Sequence, residues 1–72
     1  MTNTKLLEDK IRKSGKKKSY LAERLGLSGA GFRNCMINKT EFRASHVRIL
    51  CEELHINSME ELKQIFFAPF GS

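Results

Sequence analysis

The side chains from which catalytic and metal sites are usually built are scarce in this chain of 72 residues, which has two His, two Cys and a single Asp. His46 and His55 have no second ligand at i+4 and no carboxylate set to orient them, so surface or capping roles are expected of both. Cys35 and Cys51 fall among helix-spaced apolar residues, with no Cys-x-x-Cys pair. They read as two small buried hydrophobes, not as a disulfide or zinc ligands. With no nucleophile beside a base, no catalytic residue, metal, cofactor or small-molecule substrate is expected, and the chain does not read as an enzyme.

Cations are plentiful instead. Thirteen Lys and Arg face eight Asp and Glu, for a net charge of +5. Their placement says more than their sum. Residues 1–48 hold twelve cations against Glu8, Asp9, Glu23 and Glu41, which is +8. Residues 49–72 hold Lys63 against Glu52, Glu53, Glu60 and Glu61, which is −3. Lys16, Lys17 and Lys18 run together where a helix is expected to start, against the positive end of its dipole. Phosphates would relieve that conflict, so a polyanion is the partner class the charges point to.

The elements that must position these groups read as helices. Apolar residues make up 40% of the chain, too many for disorder, and no run approaches the roughly 18 apolar residues of a membrane span. The Met1-Thr-Asn-Thr-Lys5 start has no apolar signal core, so a cytoplasmic protein is expected. Leu7 and Ile11 give a first helix from Asn3 or Thr4 to Ser14-Gly15. Leu21, Ala22 and Leu25 give a second, stopped by Gly26. Ser28 caps a third carrying Phe32, Cys35 and Met36. After a polar stretch anchored by Phe42, a fourth helix carries Val47, Leu50, Cys51 and Leu54. Ser58 to Glu61 forms a capping box for a fifth, which presents Leu62, Ile65 and Phe66. The expectation is an all-α fold, one domain over residues 1–72 with a short aromatic tail at 67–72.

Residues 18–38 meet the demands of a helix-turn-helix: a small residue, Ala22, where two helices pack closely, and a glycine, Gly26, where the turn needs positive φ. Leu21, Leu25, Leu27, Phe32 and Cys35 would anchor the unit to the core. On the run Leu21-Ala22-x-x-Leu25-Gly26-Leu27-Ser28, with Phe42, Leu50-Cys51-x-x-Leu54 and Ile56, the chain resembles the lambda-repressor-like helix-turn-helix family of Cro and repressor-type phage regulators. The match runs over about residues 4–66. The resemblance implies a compact five-helix domain that binds double-stranded operator DNA in a bacterial host cell. It implies backbone contacts from Lys16, Lys17, Lys18 and Ser19, with Lys39 and Thr40 beyond the third helix. It puts Ser28, Gly29, Ala30, Arg33 and Asn34 where base-reading side chains belong.

At those last positions the sequence departs from a strong reader of bases. Gly29, Ala30 and Gly31 offer no side-chain hydrogen bonds, and only Arg33 and Asn34 can make bidentate contacts to guanine or adenine. Small residues there suit packing against another protein as well. Phe67 and Phe70 exceed what a small core needs and read as an oligomer or partner patch. Three readings therefore stand: a phage-type regulator that binds its operator, a modulator of repression that docks on the phage repressor, and a nonspecific basic DNA binder. Homodimers and heteromers with a repressor both fit the resemblance.

Overall fold

The computed structural model describes residues 1–67, and among them are five helices and no strand. They are α1 (Thr4–Ser14), α2 (Lys18–Leu25), α3 (Gly29–Met36), α4 (Ala44–Leu54) and α5 (Met59–Phe66). Each begins and ends for a local reason. The Asn3 side chain accepts from the Leu6 amide and caps α1, and Gly15, at φ 73°, ends it. Gly26, at φ 71°, ends α2. Its amide and that of Leu27 donate to the carbonyls of Glu23 and Ala22, which gives the paired C-terminal bonds of a Schellman turn. One residue later the Ser28 hydroxyl accepts from the Gly31 amide at 3.0 Å and starts α3.

The two histidines both act at the ends of α4. His46 Nδ1 accepts from the Arg43 amide at 3.2 Å. His55 takes the left-handed conformation, at φ 56°, that ends the helix. Ser58 caps α5 by accepting from the Glu61 amide at 3.1 Å. The expected capping box is only half made, because the Glu61 carboxylate turns to Lys10 instead, at 2.7 Å.

α2 packs against both α3 and α4, while α1 packs against α4 and α5. The core holds Leu7 and Ile11 of α1, Leu21, Ala22 and Leu25 of α2, and Phe32, Cys35 and Met36 of α3. Leu50, Leu54, Ile56, Ile65 and Phe66 complete it. Phe42 stands edge-on to Phe32 and Phe66, at 6.3 and 6.0 Å between ring centres, and so holds the α3–α4 loop down. Cys51, expected inside, is only half-buried, as are Leu27, Val47 and Leu62. All four pack on the margin of the core. A radius of gyration of 11.1 Å matches the roughly 11 Å of a close-packed chain of this length. Among the described residues, no helix is long and apolar enough to cross a membrane.

A strap at the start of the chain fixes the far end of α3. Asn38, left-handed at φ 60°, accepts from the Thr2 amide through Oδ1 at 3.2 Å. It also donates from Nδ2 to the Thr2 carbonyl at 2.9 Å. The Asn3 amide donates to the Ile65 carbonyl at 2.6 Å, so residues 2 and 3 tie the α3–α4 loop to α5.

Candidate nucleic-acid interface

α3 exposes one face because its other face is spent on the core. Phe32, Cys35 and Met36 point inward, while Gly29, Ala30 and Arg33 are exposed and Asn34 is half-buried. Ser28 is exposed, but its hydroxyl is committed to the helix cap. The Asn34 carbonyl accepts from the Lys39 and Thr40 amides at 2.8 and 3.3 Å, which folds the following loop back onto the end of α3. There the Thr40 hydroxyl meets the Cys35 thiol at 3.3 Å. Gly29, Arg33, Asn34, Lys39 and Thr40 thus belong to one helix and the loop folded onto it.

The expected lysine grip is divided. Lys16 is half-buried, and its Nζ donates to the Glu53 carboxylate and to the Glu53 carbonyl, both at 2.7 Å. Lys18 pairs with Glu8 at 2.6 Å. Lys17 stands exposed at the N-cap of α2 with no carboxylate within ion-pair distance among the described residues. Ser19 is exposed beside it. The conflict between three lysines and the helix dipole is therefore largely met from inside the protein, since two of the three cations already have counterions.

Glu53 is the residue that makes this allocation. Its side chain is 12% exposed and receives Lys16 at one oxygen and Arg24 at the other, at 2.7 and 3.0 Å. The Tyr20 hydroxyl donates to the same carboxylate at 3.3 Å. These donors, Lys16 first and Arg24 second, lower the Glu53 pKa to about 2. The pair in turn raises the pKa of Arg24. Sequence reasoning missed this node, because nothing in the spacing of residues 16, 20, 24 and 53 announces that α4 crosses α2 there.

Once the ion pairs are assigned, six cations have no carboxylate partner among the described residues: Lys5, Lys17, Arg33, Lys39, Arg43 and Lys63. Four of the six lie between residues 17 and 43. Arg43 was not among the sequence candidates, and its only signal was its charge. It is exposed at the N-cap of α4, on the loop that also carries Lys39.

Between the start of α2 and α3 lies a groove of about 480 Å³. Ala22, Phe32, Met36 and Ile37 give it an apolar floor, and Lys18, Arg33 and Glu8 give it a charged rim. Ile37 is 59% exposed there. Ser19 and Gly29 also line the groove, so the two helices share one concave edge. A Cβ added to Gly29 would meet nothing within 4 Å, so no internal contact demands a glycine there.

Such a surface has the chemistry to hold a polyanion or an acidic partner, through cations not already neutralised by the fold. Among the described residues, no three His, Cys, Asp or Glu are grouped so as to hold a metal ion. Phe67 is 63% exposed, and Phe70 lies outside the described residues. Comparison with protein-family models, curated proteins and solved structures finds no match.

Proposed function

We propose that this chain is a phage-type helix-turn-helix transcriptional regulator of a genetic switch, in which α2 and α3 form the helix-turn-helix of a lambda-repressor-like domain. One observation carries the reading. Four of the six cations that the ion-pair network leaves without a partner among the described residues lie at the start of α2, on α3 and on the loop that follows it. In this reading α3 enters the major groove, Arg33 and Asn34 make what base contacts there are, and Lys17, Lys39 and Arg43 meet the backbone phosphates. Thr40, Ser19 and the free amides at the start of α2 add neutral donors to phosphate.

A second reading is favoured by a specific feature, the exposed Ile37 beside the apolar floor of the α2–α3 groove. An apolar side chain of a partner protein would fill that groove better than a sugar–phosphate chain. This is the modulator of repression, which docks on the phage repressor and changes its DNA binding.

The two are separated by measuring retardation of the DNA flanking the chain's own gene, with and without the neighbouring repressor, over a range of salt. Specific retardation by the chain alone, relaxed in specificity by Arg33→Ala, supports operator binding. Absence of a shift, with a stable complex on the repressor that Ile37→Asp breaks, supports the modulator. Uniform binding to any duplex, lost steeply with salt, would defeat both and leave a nonspecific DNA binder.

A further inference from the structure

Among the described residues, φ is positive at Gly15, Gly26, Asn38 and His55. Asn38 closes α3 much as Gly26 closes α2. Its amide donates to the Cys35 carbonyl at 3.2 Å and the Lys39 amide to the Asn34 carbonyl at 2.8 Å, the paired bonds of a Schellman turn. A glycine would make that turn with less strain. What Asn38 adds is a side chain, and both of its polar atoms are used. Oδ1 accepts from the Thr2 amide at 3.2 Å, and Nδ2 donates to the Thr2 carbonyl at 2.9 Å. Thr2 is 4% exposed, so its backbone groups are largely out of reach of water and rely on this clasp.

We propose that Asn38 is a positioning residue for the nucleic-acid surface. By clasping Thr2 it fixes the α3–α4 loop so that Lys39, and not Glu41, meets a phosphate. The inference rests on the proposed function and adds to it the residue that sets how the loop is presented.

The loop is held at two points. Asn38 is tied to Thr2, and Phe42 stands edge-on to Phe32 and Phe66. The first point is itself anchored, since the neighbouring Asn3 donates its amide to the Ile65 carbonyl of α5 and caps α1 with its side chain. Lys39, Thr40 and Glu41 span the two points, and all three are exposed. Lys39 and Glu41 carry opposite charges only two residues apart. A loop free to change shape would offer a phosphate attraction and repulsion in about equal measure, whereas a fixed loop offers one of them. The fold-back of residues 39 and 40 onto Asn34 begins at Asn38, so the clasp acts at its hinge.

Asn38→Gly removes the clasp but keeps a residue at ease at φ 60°, so the fold is retained, which a thermal melt checks. Hydrogen exchange on the free protein then reports the loop. The Lys39 and Thr40 amides, both bonded to the Asn34 carbonyl, should exchange about tenfold faster or more in Asn38→Gly, with the α2 and α4 amides unchanged. Fluorescence anisotropy with a mixed-sequence duplex reports the cation. Lys39→Ala should lower the magnitude of the salt slope by about 0.9 in the natural chain and by little in Asn38→Gly. Lys17→Ala should lower it equally in both.

Exchange at residues 39 and 40 that Asn38→Gly does not alter overturns the proposal. So does a Lys39→Ala effect of the same size in both backgrounds, which would leave Asn38 a purely structural residue. A natural chain whose slope ignores Lys39→Ala would defeat the phosphate reading itself. That failure shows before any change at Asn38, and the positioning role falls with it.

Discussion

The salt dependence of duplex binding distinguishes a grip made by the lysine run from one made by the cations the fold leaves free. Each phosphate neutralised contributes about 0.9 to the slope of log affinity against log salt. If Lys17, Lys39 and Arg43 are the phosphate contacts, the slope is about −2.7; adding Lys16 and Lys18 makes it about −4.5. Between roughly 50 and 200 mM salt the first predicts a fall of about 40-fold and the second about 500-fold. Fluorescence anisotropy with a mixed-sequence duplex gives the slope without knowledge of an operator. Lys17→Ala is expected to lower its magnitude by about 0.9. Lys16→Ala is expected to leave it unchanged, because that ammonium is held by two oxygens of Glu53. A natural slope near −4.5 that drops on Lys16→Ala or Lys18→Ala would refute the assignment, as would a slope that Lys17→Ala does not change.

Three further outcomes follow from the fold. The Glu53 pKa falls from an ordinary 4.5 to about 2 on folding, so its contribution to stability is present above about 4.5 and is lost as pH falls toward 2. Glu53→Gln should flatten the loss of urea resistance over that window; an unchanged profile would remove Glu53 from the account. Gly26→Ala forces a side chain into φ 71° and should cost about 1–2 kcal/mol, whereas Gly29→Ala meets open space and should raise stability by roughly 0.5–1 kcal/mol. Thermal melts that rank these two in the opposite order would contradict the turn geometry. Leu50 is fully buried, and Leu50→Ala should cost about 2–5 kcal/mol from a total of about 4–11 kcal/mol for a chain of this length. Urea unfolding followed by circular dichroism should show stability lowered by that amount, and an unchanged midpoint would count against the packing of Leu50.

Local signals carried the helices well, and the reason is that each boundary is a local event. Asn3, Ser28 and Ser58 cap where a side-chain oxygen can reach an amide two or three residues on. Gly15 and Gly26 stop helices where positive φ is needed. Even His55, for which a surface or capping role is expected, adopts that conformation at the end of α4. What the sequence hid depends on groups far apart along the chain. Glu61 looked like half of a capping box, yet Lys10, from α1, takes its carboxylate. Cys51 and Leu62 had the periodicity of core residues, but both line an open hollow between α4 and α5, so both remain half-buried. The α3 face was legible because Phe32, Cys35 and Met36 fix which side is inward, and everything else on that helix must then point out.

The charge pattern shows most clearly how tertiary structure edits a sequence. Along the chain, a basic first two-thirds and an acidic last third look like two separate surfaces. In the folded molecule Glu53 and Glu61 reach back as internal counterions for Lys16, Arg24 and Lys10. Glu8 takes Lys18, and Asp9 takes Lys13 and Arg12, within the basic part itself. Neutralisation is uneven. It pairs Lys10, Arg12 and Lys13 of α1 and both cations of α2, and it leaves Lys17, Arg33, Lys39 and Arg43 between the start of α2 and the start of α4, with Lys5 and Lys63 elsewhere. A net charge of +5 spread evenly would attract a polyanion without orienting it. Under the proposed function, the same charge with most of its α1 members and those of α2 paired would both attract and orient, because four of the six unpaired cations lie between residues 17 and 43. In that reading positioning would come from Glu53 and Glu8 as much as from the lysines, since by holding Lys16 and Lys18 they determine which cations are left unpaired.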